Sequence, residues 1–145
     1  MAKHRLFLIE DEELLCELFT DYAVTIPEIE FLGFENDGLT GVEKAIELKP
    51  DIVVLDMRLP RTNGIEALHR LRKELGDIKI IIFTGTVKEE TVHLAYSQGA
   101  DAFVEKALGL AYLKEAILAV ILGERYVTEG ISAILKSFKT ESEQT

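Results

Sequence analysis

Three carboxylates stand directly after two short apolar runs of this 145-residue chain. Glu10 and Asp11 follow the run Leu6–Ile9. Asp56 follows the run Ile52–Leu55. If both runs are strands of one open parallel sheet, the carboxylates converge on the crevice beyond the carboxyl ends of the strands, where such sheets bind ligands. Their mutual repulsion would raise their pKa values unless a cation were bound, and hard oxygen ligands that leave room for water suit Mg²⁺.

Asp56 differs from the other acids because it follows four apolar residues, which predicts a partly sheltered carboxylate. A carboxylate so placed beside Mg²⁺ can attack a phosphorus centre and become an acyl phosphate. Thr84 ends a later apolar run and offers a hydroxyl to the oxygens of an incoming phosphoryl group, and Lys106 offers them a positive charge. This set predicts a phosphoryl-accepting site, whereas the next acids, Glu12 and Glu13, are interpreted as solvated caps.

The elements that must position these residues are visible as apolar runs separated by stretches with helical spacing. The runs are Leu6–Ile9, Ile29–Phe34, Ile52–Leu55, Ile78–Phe83 and Ala102–Val104. The first, third and fourth are nearly continuous, as strands buried on both faces require, and the second is less uniform and is predicted nearer an edge. The alternation predicts an α/β fold with a doubly wound, five-stranded parallel sheet, a flavodoxin-like (βα)5 sandwich of three layers with one extra C-terminal helix.

The predicted helices differ in the apolar surface that they offer to the sheet. The first carries a stripe that should face the core: Leu14, Leu15, Leu18, Phe19 and Tyr22. The fourth, about Glu89–Gln98, has the poorest inward face and should be the most easily displaced. The fifth, about Leu110–Leu122, has a wider apolar arc than one sheet face can cover.

The end of the chain, residues 124–145, is predicted to be an extension of a domain formed by residues 1–123. Apolar residues at helical spacing predict an amphipathic helix at about residues 130–138. A polar, disordered tail is expected over Thr140–Thr145. Docking of the helix on the fifth helix and a role as a dimer or interdomain linker are equally open.

Charge and composition narrow the class of protein further. With 16 Lys and Arg against 26 Asp and Glu, the formal net charge is -10, which disfavours direct contact with nucleic acid or anionic lipid. The single cysteine, Cys16, lies among apolar residues and is interpreted as a small core residue in a reducing compartment. The apolar run after the basic start is too short for a signal peptide, and no run approaches a membrane span. We therefore expect a cytoplasmic location.

Other ligand motifs have little support. The chain contains neither GxxxxGK[ST] nor GxGxxG, so a nucleotide phosphate loop is not predicted. A flavodoxin-type module could use the segment 84–86 to contact a phosphate, but its phosphate loop would follow the first strand, where this chain has acids. His4, His69 and His93 lack the spacing of metal ligands.

Four stretches of the sequence are specific when they are taken together and in this order: LFLIEDE, PDIVVLDMRLPRTNGIEAL, IIIFTG and GADAFVEK. Together they resemble the receiver domain of a two-component response regulator over about residues 3–123. The resemblance implies a sensor histidine kinase as phosphodonor and Mg²⁺ as the metal. It implies these roles: Asp56 as phosphoacceptor, assisted by Thr84 and Lys106; Asp11 as a direct Mg²⁺ ligand, Glu10 as a ligand through water and the Arg58 backbone carbonyl as a further ligand; Thr84 and Phe103 as the switch pair.

The chain departs from the family pattern at two positions. Ala107 follows Lys106 where the family commonly has proline in a cis peptide, and a cis bond to a non-proline residue costs about 2.5–4 kcal/mol, so the isomer is left open. Phe103 stands where the family often has tyrosine, so no hydroxyl can report the side chain's inward or outward state.

The segment AILAVILGERYVTEGISAILKSF resembles the end of receivers of the NarL/FixJ type, which usually continue into a helix-turn-helix DNA-binding domain. No such domain follows here, so a fragment of a transcription regulator and a receiver acting alone are both open. The expected protein catalyses only its own phosphorylation and dephosphorylation. It would switch partner binding or dimerisation through the fourth and fifth helices or the C-terminal helix. The alternatives are a constitutive protein-binding module and a small flavin or nucleotide carrier.

Overall fold

The structure, a computed structural model, describes residues 2–85 and 88–144, with the side chains of residues 138–144 excepted. Strands and helices alternate along this part of the chain. In chain order they are β1 (His4–Ile9), α1 (Glu13–Ala23), β2 (Ile29–Glu35), α2 (Gly38–Leu48), β3 (Ile52–Leu55), α3 (Gly64–Leu75), β4 (Lys79–Thr84), α4 (Glu89–Ser97), β5 (Ala102–Glu105), a 3₁₀ turn (Lys106–Leu108), α5 (Leu110–Ile121), β6 (Tyr126–Val127) and α6 (Glu129–Gln144).

The strands form one parallel sheet in the order β2-β1-β3-β4-β5-β6. The near-continuous apolar strands β1, β3 and β4 lie in its middle, where both faces are covered, and β2 lies at an edge as predicted. The described chain adds a sixth strand to the predicted five, because the connector after Gly123 returns beside β5 and pairs Tyr126 with Ala102 and Val127 with Phe103. A two-residue strand is too short to produce a periodic pattern, so the sequence did not predict it.

The two faces of the sheet carry separate hydrophobic clusters. Along β1, Leu6 and Leu8 belong to the cluster under α1 and α5, whereas Phe7 and Ile9 belong to the cluster under α2, α3, α4 and α6. This alternation follows from the two-residue repeat of a strand. The helices therefore form two outer layers, and the strand ends are left accessible at the edge that bears the polar residues.

The first helix buries only part of its predicted apolar stripe. Cys16, Phe19 and Ala23 are buried against the sheet. Leu14 and Leu18 instead are 69% and 50% exposed, so the expectation that they face the core is wrong. The helix contacts the sheet through a limited arc, and residues at positions 14 and 18 fall on its outer flank.

The C-terminal helix differs from the sequence prediction in length and in location. It spans Glu129–Gln144 instead of about residues 130–138, and its backbone is helical through most of the segment that was expected to be disordered. Thr145 lies outside the described residues. The segment lacks proline, and after Gly130 it lacks glycine, so no residue type ends the helix early.

Docking of this helix on the fifth helix is also wrong, because α6 packs on α4 and β5 at the opposite face of the sheet from α5. Ile131 is completely buried in the cluster that contains Val92, Ala95 and Phe103. The small apolar face that α4 turns toward the sheet is thus enlarged by the apolar face of α6.

In the described residues no helix is both long and apolar enough to cross a membrane.

Candidate functional site

The polar residues after the strands meet at one edge of the sheet. Asp56 accepts a hydrogen bond from the Thr84 hydroxyl over 2.9 Å and another from Lys106 Nζ over 2.9 Å. Lys106 Nζ also lies 2.9 Å from an oxygen of Glu10. Four strand ends therefore supply one hydrogen-bonded cluster, because parallel strands end at the same edge.

Three of the carboxylates are close enough to share a cation. Oxygens of Glu10, Asp11 and Asp56 lie within 4.8 Å of one another. Glu10 and Asp56 are only 1% and 3% exposed, and Asp11 is exposed. Buried carboxylates with an open side match the oxygen ligands and retained water that Mg²⁺ prefers, so this donor set fits that ion.

The electrostatics of the cluster follow from its burial. Desolvation, followed by repulsion from Asp56, raises the pKa of Glu10 to about 8, although Lys106 offsets part of this effect. Burial by itself lowers the pKa of Lys106, but hydrogen bonds to Glu10 and Asp56 outweigh burial and hold that pKa above its usual range. The ammonium of Lys106 is therefore a permanent positive charge beside acids that repel one another.

Glu12 belongs to the same cluster, which contradicts its interpretation as a merely solvated cap. One of its carboxylate oxygens lies 3.1 Å from Lys106 Nζ, although the side chain is 61% exposed. Glu12 also precedes α1 as its N-cap residue, yet its side chain makes no capping hydrogen bond there. No local pattern could have revealed this contact, because the two residues are 94 positions apart.

The loop after β3 approaches Asp56 closely because residue 64 is a glycine. A Cβ at Gly64 would overlap the Met57 backbone and would lie 2.9 Å from the Asp56 carbonyl oxygen. The Arg58 backbone N–H donates to an Asp56 carboxylate oxygen over 3.2 Å, and Asn63 caps α3 by accepting from the Glu66 N–H. This turn orients the Asp56 carboxylate, and Gly64 is a site-forming residue that the sequence reasoning missed.

The remaining site residues line an open cavity of about 340 Å³. Its walls include Asp11, Glu12, Asp56, Gly85 and Lys106, and Arg58 completes them. The buried Asp56 is one of the residues that line this cavity. The cavity is large enough for a phosphoryl group to reach the Asp56 carboxylate.

Phe103 lies on β5, which β4 separates from the strand before Asp56, and its side chain is in the core. It is 1% exposed and packs in the cluster that includes Ile131 of α6. Among the described residues there is no cis peptide bond, so the Lys106–Ala107 bond is trans and leads directly into the 3₁₀ turn. A trans bond at this position avoids the cost of about 2.5–4 kcal/mol that a cis bond to alanine would carry.

Cys16 is buried beneath the site. Its thiol lies 3.4 Å from the Glu10 carbonyl oxygen, and Asn36 Nδ2 lies 3.5 Å from its sulfur. Burial, and then the charge of Glu10, raise the pKa of this thiol to about 12. A thiolate is the nucleophilic form, so Cys16 acts as a core residue.

Comparisons with known proteins agree with this arrangement. The family model described as the response regulator receiver domain matches residues 6–118. The transcriptional regulatory protein LiaR of Bacillus subtilis is 33% identical over 120 residues, which cover 83% of this chain and 57% of LiaR. The nitrate/nitrite response regulator protein NarL of Escherichia coli K12 is 30% identical over 130 residues, which cover 90% of this chain and 60% of NarL. The chain thus spans less than two thirds of either relative.

Solved structures share the fold. A two-component response regulator of the LuxR family from Aurantimonas sp. SI85-9A1 superposes with a TM-score of 0.88 at 27% identity, over 96% of this chain and 99% of that one. The response regulator domain of Thermotoga maritima CheB gives a TM-score of 0.74 at 29% identity, over 86% and 97% of the two chains. The sheet and its flavodoxin-like layering are therefore those of receivers. The chain belongs to the response regulator receiver family and is a receiver domain of the NarL type.

Proposed function

We propose that this receiver accepts a phosphoryl group on Asp56 from a sensor histidine kinase. The observation that carries the proposal is the position of the Asp56 carboxylate, which is buried at the floor of an open cavity between the Thr84 hydroxyl and the Lys106 ammonium. A sheltered carboxylate with donors on both oxygens is oriented for attack, and the same donors lie where a transferred phosphoryl group would place its oxygens.

The transfer is a displacement at phosphorus. An Asp56 carboxylate oxygen forms a bond to the phosphorus while the P–N bond of the kinase phosphohistidine breaks, and the bonding electrons leave with the imidazole nitrogen, which takes up a proton. Lys106 then exchanges its contact with Asp56 for one with a phosphoryl oxygen, and Thr84 does the same through its hydroxyl. The chain catalyses its own phosphorylation and dephosphorylation and no reaction of a separate substrate.

We infer that the reaction depends on Mg²⁺. Asp11 and Asp56 would hold the ion directly, the Arg58 carbonyl would be a further ligand, and Glu10 would act through water. When bound, Mg²⁺ supplies positive charge that offsets the acids and the incoming phosphoryl group. The clustering of buried carboxylates, and the raised pKa of Glu10 that results from it, support a need for a cation.

The output is a change in partner binding or self-association that controls transcription in the cytoplasm. The relative LiaR is described as a transcriptional regulatory protein, and the matched region covers 57% of it, which supports a role of this receiver in transcriptional control. The net charge of -10 speaks against nucleic-acid contact by this chain itself. Candidate surfaces for a homodimer are α4 and α5, or α6. The exposed Tyr112 on α5 and the exposed Leu122 directly after it support the first of these.

The experiment that tests the proposal is incubation with acetyl phosphate and Mg²⁺, followed by intact-mass measurement. We expect the mass of one phosphoryl group on the wild type and none on Asp56→Asn, which keeps the shape of the side chain but lacks the nucleophile. A chelator should abolish the gain. Phosphorylation of Asp56→Asn to the wild-type extent would show that Asp56 is not the acceptor, and a wild type that gains no phosphate would favour a constitutive binding module.

A further inference from the structure

Lys106 has more acidic partners than its placement requires. The buried carboxylates of Glu10 and Asp56 each lie 2.9 Å from its Nζ and hold the ammonium over the floor of the cavity. Glu12 adds a contact of 3.1 Å from the solvent side. Because Glu12 is largely exposed, its contact with Lys106 is more easily broken than the contacts of Glu10 and Asp56. Glu12 therefore competes with an incoming phosphoryl group for the Lys106 ammonium.

Among the described residues, the Glu12 side chain makes no other hydrogen bond or ion pair that would explain its position. It makes no capping hydrogen bond at the start of α1. Its backbone N–H donates to Glu10 over 3.0 Å, which keeps residue 12 at the site whatever its side chain is. Glu12 lines the cavity that a phosphodonor must enter, and Arg58 and Gly85 also line it.

We propose, on the basis of the phosphoryl-acceptor function above, that Glu12 determines which phosphodonors can use the site. Its carboxylate engages Lys106 in the unphosphorylated protein and repels anionic donors at the cavity entrance. Small donors with high negative charge are disfavoured most. Glu12 is therefore a specificity-determining residue outside the acceptor and the carboxylates that fit a metal.

The test compares Glu12→Gln with Glu13→Gln, the neighbouring exposed acid, on the full chain. Phosphorylation rates are measured with acetyl phosphate and with the less anionic donor phosphoramidate, at low and high salt. We expect Glu12→Gln to react about two- to five-fold faster with acetyl phosphate at low salt, in keeping with the strength of one exposed ion pair. The gain should be smaller with phosphoramidate and at high salt. Glu12→Lys should give a larger gain, and Glu13→Gln should change the rates by less than half as much.

A second measurement does not require phosphoryl transfer. Binding of inorganic phosphate, followed at the Gly85 amide resonance, should be about two- to five-fold tighter in Glu12→Gln than in the wild type. Unchanged rates and unchanged phosphate binding would overturn the proposal, and so would slower phosphorylation of Glu12→Gln, because Glu12 would then be required to position Lys106. A wild type that takes no phosphoryl group, with phosphate binding tightened by Glu12→Gln, would reject the acceptor function and donor selection with it, and would leave only the repulsion of anions by Glu12.

Discussion

The Thr128 hydroxyl donates a hydrogen bond to the Glu105 carboxylate over 2.8 Å, directly before α6 begins. Glu105 ends β5, pairs in register with Thr84 on β4 and immediately precedes Lys106. Residue 130 is glycine, and a Cβ there would lie 2.7 Å from a Glu105 oxygen, so a larger residue at this position would displace the Glu105 carboxylate. The start of the C-terminal helix is thereby joined to the strand end that carries the site.

The packing of α6 on α4 should contribute measurably to stability. Ile131 is completely buried, so Ile131→Ala should lower the free energy of unfolding by about 2–5 kcal/mol in urea denaturation. The exposed Ser137 on the same helix provides a control, and Ser137→Ala should change that free energy by less than about 0.5 kcal/mol. Equal stability of the two variants would mean that α6 is not docked in solution.

Phosphorylation should be transmitted through Thr84. A phosphoryl mimic such as beryllium fluoride should change amide hydrogen exchange chiefly over Thr84–Tyr96 and Ala102–Leu110, because the Thr84 hydroxyl turns toward the phosphoryl group and draws the β4–α4 loop with it. Self-association or partner binding should rise at the same time. Changes confined to Asp56 and its own loop, with association unaltered, would exclude this relay.

The variant Thr84→Ala isolates that step. It keeps the Asp56 nucleophile and Lys106, so it should still accept phosphate from acetyl phosphate. Without the hydroxyl it should transmit poorly, and the exchange changes in α4 should be smaller than in the wild type. Wild-type exchange changes in Thr84→Ala would assign the transmission to Lys106 alone.

Mg²⁺ should stabilise the folded protein through Asp11. The carboxylates repel one another in the fold, and a cation that binds only the folded state raises the melting temperature by mass action. Thermal unfolding should show a rise for the wild type and for Glu13→Ala, and little or none for Asp11→Ala. A rise of equal size in Asp11→Ala would reveal nonspecific screening.

Stability without divalent cations should fall as pH rises through the range in which Glu10 loses its proton. The pKa of Glu10 is about 8 in the folded protein against an ordinary value of 4.5, so the folded state holds a proton that the unfolded chain has released. The free energy of unfolding therefore decreases between about pH 4.5 and pH 8. Melting temperatures in EDTA should show this slope in the wild type and a flatter one in Glu10→Gln. The same slope in both proteins would assign the dependence to other groups.

The sequence by itself determined the alternation of strands and helices and the residues at the strand ends. Apolar runs such as Ile52–Leu55 are local signals of strands. Once such strands pair in parallel, a polar residue directly after one of them, such as Asp56, lies at the sheet edge where all the strands end. The less uniform composition of β2 is likewise a local signal, and it predicted the position of this strand at an edge of the sheet.

Only the tertiary structure decided which surfaces and charges meet across long separations. The Glu12–Lys106 contact joins residues 94 positions apart, and the docking of Ile131 against the α4 and β5 side depends on how the connector with β6 returns beside the sheet. The amphipathic pattern of α6 shows that it must bury one face but is equally compatible with any apolar surface of suitable width. In the folded protein α6 packs against Val92 and Phe103, and the Thr128–Glu105 hydrogen bond holds its start. These contacts exist only once the sheet has formed, so the tertiary structure decides which apolar surface α6 covers.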